Sequence, residues 1–124
     1  MLTCAALMTS PHSEGLANYP VGAYFNKWTR DFADIQDERG WVPHTAPTVS
    51  GGGGPAWSGF VMTNPWQTYN TFGDVDILEN MYPTMTRLLG FYANNTNATV
   101  GLLYPWSTSM WDFLGDWPVS ETPP

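Results

Sequence analysis

Cysteine is nearly missing from these 124 residues: Cys4 stands alone, so no internal disulfide can staple the fold. Basic residues are almost as scarce. Four Lys and Arg against eleven Asp and Glu leave a net charge of −7, which excludes the basic footprint that nucleic acid or an anionic membrane surface requires. Only two histidines occur, and His12 and His44 are too far apart to supply the close ligand spacing of a zinc site. No metal or other cofactor is expected. Long apolar runs are missing too: Leu2 to Met8 is short, lacks a preceding positive residue and runs into polar, proline-containing sequence. It is neither a spanning helix nor a convincing signal peptide, and it reads as a cut end.

What the chain has in excess is aromatic surface, with seven Trp, six Tyr and six Phe in 13.8 kDa. Three or four helices of this length cannot hide so many rings, so they form either an unusually large core or a face that meets something. Indole and phenol rings interspersed with glycine and polar groups suit a sugar, whose apolar pyranose face stacks on them.

The chain is organised around GGGGPAWSGFVMTNPWQTYNTFGD, from Gly51 to Asp74. Four glycines cannot sit inside a helix, where each costs about 1 kcal/mol relative to alanine, so they form a loop whose backbone can approach something closely. Trp57 stands at its edge. From Trp57 to Phe72 the pattern is helical, with Val61, Tyr69 and Phe72 near one stripe, Pro65 as a kink and Gly73 as the left-handed terminator. Upstream, Tyr24, Trp28, Phe32 and Ile35 recur at four, four and three, predicting a helix from about Pro20 to Gln36 with Gly40 after its end. Downstream, Asp74 is the expected N-cap of a helix with the stripe Val75, Leu78, Tyr82, Met85, Leu89 and Tyr92, bent or broken at Pro83. The Gly73-Asp74 turn makes these last two helices an antiparallel hairpin. The proline- and glycine-rich stretch from Gly40 to Pro55 is a long loop, and long loops in compact proteins are usually functional.

Several motifs fail on inspection. GGGGPAWSG lacks the lysine of a phosphate loop, and Ser58 is not in a G-x-S-x-G elbow because position 56 is Ala. Asp37-Glu38 could be an acid/base pair or simply a solvated helix end. Sequons at Asn94 and Asn97 carry meaning only in a secreted chain. In the last segment, Trp106, Trp111 and Trp117 surround Asp112 and Asp116, and carboxylates among indoles can bind sugar hydroxyls while the rings stack.

Taken together, YFNKWTRDFADIQDERGWVPHTAP, GPAWSGFVMTNPWQTYNTFGD, MYPTMTRLLGFY and LGDWPV resemble, in that order, the catalytic domain of the bacterial and fungal α-L-rhamnosidases, over about residues 12 to 118. The resemblance implies an all-α fold, here a partial six-hairpin α/α toroid of about three helices with long loops rather than a complete barrel. The whole chain, 1–124, is then a fragment of one such domain. It also implies an inverting glycoside hydrolase that removes terminal α-L-rhamnose, one carboxylic acid donating a proton and a second carboxylate activating water. Residue by residue it carries Trp57, Asp116 and Trp117 to the sugar pocket, with a rhamnose-containing glycoside as partner. Two departures stand out. The family's acid lies upstream of the Tyr24–Trp28 helix and its base beyond Pro124, so neither has a counterpart here; Asp37-Glu38-Arg39-Gly40-Trp41 imitates the acid motif but occupies a later segment of the pattern. Gly59 stands where many members have an acidic residue. The fragment alone is therefore expected to be inactive, with a non-catalytic carbohydrate-binding module or a helical interaction domain as the alternatives.

Overall fold

The computed structural model describes residues 3–4, 19–49, 51 and 54–105. Three helices carry the structure: α1 (Gly22–Asp34), α3 (Phe60–Phe72) and α4 (Val75–Asn94), with a single-turn α2 (Pro55–Ser58) leading into α3. The only ladder among the described residues is a two-residue antiparallel pair, β1 (Thr3–Cys4) on β2 (Thr45–Ala46). The chain is thus predominantly helical, as a partial six-hairpin domain requires.

Hydrogen bonds between helices fix their directions. Asn26 Nδ2 donates to Asp74 Oδ2 (2.6 Å) and Gln36 Nε2 to the Thr84 carbonyl (3.0 Å), so α1 and α4 run the same way. Between them α3 runs opposite, with Asn64 donating to Thr29 at its middle and Ser58, just before it, meeting Tyr92 near the end of α4. The core fills the space among the three. Phe60 lies against Trp28 (4.6 Å between ring centroids) and Phe32 (5.1 Å), and the aliphatic share comes from Val61, Ile77, Met81 and Leu88.

The buried stripes differ from those the periodicity suggested. In α1 the inward residues are Phe25, Trp28, Thr29 and Phe32; Trp28 and Phe32 are common to both, but Tyr24 is 46% exposed. In α3 they are Phe60, Val61, Asn64, Pro65 and Thr68, leaving Phe72 exposed and Tyr69 half-buried. In α4 they are Ile77, Met81, Thr84, Leu88 and Phe91. Val75, Tyr82 and Leu89, one residue per two turns, stand out in solvent instead. The reason is degeneracy: α4 has two parallel apolar stripes with the same three-and-four spacing, and periodicity alone cannot say which faces α1. The helix also starts after Ser58, because Gly59 separates α2 from α3.

Neither proline breaks its helix; α3 continues through Pro65 and α4 through Pro83. Pro83 and Glu79 are both exposed, so the Glu79 carbonyl left without its helical donor can turn to water. The hairpin turn is as expected. Gly73 is left-handed at φ 70° and its N–H bonds the Tyr69 carbonyl, while Asp74 Oδ1 accepts from the Ile77 N–H at 3.2 Å. Replacing Asp74 with alanine removes this cap together with the Asn26 bond, and we expect a loss of about 1–2 kcal/mol in urea unfolding. A change under about 0.3 kcal/mol would show that the cap does not hold the hairpin.

Candidate functional site

One end of the bundle gathers the irregular chain. There α1 ends, α3 begins and α4 ends, so the described residues of the loop after α1, Trp57 and the 95–105 turn share a rim. Helix α2 anchors this rim: the Ser58 hydroxyl donates to the Gly54 carbonyl (3.0 Å) and makes a short hydrogen bond with the Tyr92 hydroxyl. Burial pushes the Tyr92 hydroxyl up from the ordinary phenol value, with the Ser58 bond pulling the other way. Tyr92 therefore stays neutral at physiological pH.

Trp57 is half-buried on this rim, and its indole meets the His44 ring edge-on, centroids 5.9 Å apart and planes at 74°. His44 is 3% exposed and lies immediately before β2, whose Ala46 carbonyl receives the Trp28 indole N–H at 3.4 Å. The loop is thereby tied to α1. Gly51, at φ 74°, passes so close that a Cβ there would overlap the His44 ring. Gly51 therefore approaches a histidine of its own chain. In the sequence His44 is only a poor metal ligand, and nothing local marks it as a packed ring.

Asp37-Glu38 lies at the same end, but Asp37 is committed to its turn. Its carboxylate accepts from the Trp41 N–H (2.8 Å) and from Arg39 Nε (2.7 Å), and Arg87 reaches across from α4 to the Asp37 carbonyl (2.7 Å). Glu38 is exposed. Three of the four cations are thus used locally, Lys27 with Asp31 at 2.6 Å being the other pair, and no basic stripe forms.

Beyond α4 the chain reverses. Asn97 Oδ1 accepts from the Thr99 and Val100 N–H groups, Thr96 bridges Leu103, and the Tyr104 N–H returns to the Asn95 carbonyl at 2.6 Å. Asp116 and Trp117 lie outside the described residues. At the opposite end, an open depression of about 500 Å³ is lined by Gly22, Asn26, Lys27, Arg30, Phe72 and Asp74, remote from Trp57. Among the described residues no cluster of three metal-binding side chains occurs, and no helix is long and apolar enough to cross a membrane.

A helical hairpin with a parallel third helix and an aromatic rim on irregular loops is the architecture of a helical-hairpin domain that presents side chains at one end. Comparison with known proteins gives the family. Residues 12–124 match the bacterial alpha-L-rhamnosidase 6 hairpin glycosidase domain, and an alpha-L-rhamnosidase of Streptomyces avermitilis is 31% identical over 96 residues, 76% of this chain. The chain belongs to this glycoside hydrolase family. It spans 8% of the length of that relative. No solved structure matches it.

Proposed function

We propose that this chain supplies one wall of a sugar pocket that takes a terminal α-L-rhamnosyl group, with Trp57, Asp116 and Trp117 as contacting residues. The observation that carries the proposal is Trp57 itself. It is half-buried rather than sequestered, stands on the rim where α4 ends, and its ring packs edge-to-face with His44. An indole placed in this way can stack on the apolar face of the sugar, while a carboxylate such as Asp116 accepts bonds from hydroxyls. Titration with L-rhamnose, followed by tryptophan fluorescence, is expected to saturate in the native chain and to weaken at least tenfold, about 1.4 kcal/mol, in Trp57→Ala. Equal affinity in both proteins would remove Trp57 from the site.

In a complete domain the reaction is hydrolysis with inversion, which needs two carboxyl groups roughly 6.5–9.5 Å apart with a water between one of them and the sugar. The family's acid and base have no matching positions in this chain, and Asp37 is held in its own turn. Purified 124-residue protein is accordingly expected to leave an aryl α-L-rhamnoside unhydrolysed above the buffer rate. Turnover that disappears in Glu38→Gln would overturn this and make the Asp37-Glu38 turn catalytic.

A further inference from the structure

The edge-on contact between His44 and Trp57 raises the question of what sets the plane of the indole. Two constraints converge on it. The turn that bears Trp57 is fixed by its neighbour Ser58, bonded to the Gly54 carbonyl and to Tyr92 of α4, which locates the Cα but leaves the side-chain torsions open. The edge-to-face contact with the His44 ring then restrains the indole plane, beside the packing of Trp57 against the core. His44 in turn has little room to move. It is 3% exposed, the strand residues after it are tied to Trp28 of α1, and the Gly51 backbone passes against its ring where no side chain would fit.

We propose that His44 and Gly51 are positioning residues for Trp57: the glycine backbone presses on the imidazole, and the imidazole holds the indole in the plane that a sugar face meets. This rests on the sugar-pocket proposal for its purpose, but not for its geometry. It gives Gly51 a defined task, because the residue at 51 must lack a Cβ and also adopt φ 74°. Holding the ring in advance lowers the ordering cost of binding, and an aromatic edge-to-face pair is worth enough to change affinity by between about threefold and tenfold.

The test uses the full 124-residue chain labelled with 5-fluorotryptophan, whose Trp57 line is identified among seven by its loss in Trp57→Phe. His44→Leu keeps apolar bulk but removes the ring, and Gly51→Ala presses first on the imidazole. In sugar-free protein, both substitutions are expected to move the fluorine line of Trp57 more than any other. Gly51→Ala added to His44→Leu should move it little further, because the ring through which it acts is gone. Circular dichroism of each variant establishes that the helices are intact. L-rhamnose should then bind each variant between about threefold and tenfold more weakly than the native chain. A Trp57 line unmoved by His44→Leu in a folded protein overturns the positioning role, as does a Gly51→Ala effect of full size in the absence of the His44 ring. A line that moves as expected but does not respond to rhamnose, even in the native chain, upholds the ring contact and overturns the sugar pocket it was proposed to serve.

Discussion

Phe60→Ala is expected to cost about 3–5 kcal/mol, the largest loss of any single substitution in this chain. Phe60 is fully buried and is the residue of α3 on which α1 closes, its ring touching both Trp28 and Phe32. Truncation removes the transfer free energy of a phenyl ring and leaves a void bounded by two large aromatics that cannot collapse into it. Small domains are typically stable by 5–15 kcal/mol, so this one change consumes much of the total. Phe60→Leu, which refills part of the volume, should recover more than half of the loss. Urea unfolding monitored at 222 nm checks both, and a loss under about 1 kcal/mol for Phe60→Ala would mean that α1 and α3 do not share this core in solution.

The second large effect comes from a residue with no side chain. Gly40 sits at φ 92° with its Cα face against the backbone of α4, where a Cβ would overlap the Arg87 carbonyl. That obstacle is a helix backbone and cannot swing aside as a side chain could. Alanine at 40 must therefore push the loop off α4, weakening the Gln36 bonds to the Gly40 and Thr84 carbonyls (2.9 and 3.0 Å) and the Arg87 bond to Asp37. We expect a loss of roughly 3 kcal/mol, combining left-handed strain with broken buried hydrogen bonds. Gly73→Ala provides the control. Gly73 has a similar φ of 70° but nothing within 4 Å, so it should lose only the conformational share of roughly 1 kcal/mol. Equal losses at 40 and 73 would show that close approach to α4 plays no part.

These two residues also mark what a sequence can and cannot disclose. Gly73 and Asp74 were legible because their roles are local: a left-handed terminator and an N-cap are settled within four residues of the chain. The helices themselves were legible for the same reason, since periodicity acts over a single element. Their inward faces were not. Tyr24 and Phe25 are adjacent aromatics, and α4 has a second stripe beside the first; only the position of a partner helix chooses between them. Gly40 was legible as a helix-ending signal, yet its reason for being glycine is Arg87, nearly fifty residues away. The glycine run was recognisable as a close approach, but not that Gly51 meets His44, because the contact is set by tertiary packing.

The same limit applies to the site. Trp57 could be singled out by its place between a glycine loop and a helix, Asp116 and Trp117 as a carboxylate among indoles, and the family resemblance carried all three to the sugar pocket. Its neighbours His44, Ser58 and Tyr92 could not be foreseen, because a lone histidine in a Val-Pro loop, a serine outside any hydrolase motif and a tyrosine on an apolar stripe have ordinary roles elsewhere. Three helices bring them to one rim. The exposed row Val75, Tyr82 and Leu89 is a second product of that packing, an apolar edge on the side of α4 that α1 does not cover.

We propose that Trp57, Asp116 and Trp117 form one sugar-binding surface at the rim where α3 begins and α4 ends. A crystal structure of the chain soaked with L-rhamnose tests it most directly. The account predicts the sugar face lying on the Trp57 indole, the Trp117 ring on the same rim, and the Asp116 carboxylate within hydrogen-bonding distance of a sugar hydroxyl. Trp57 and Trp117 rings emerging at opposite ends of the helices, or separated by the body of the fold, would contradict it.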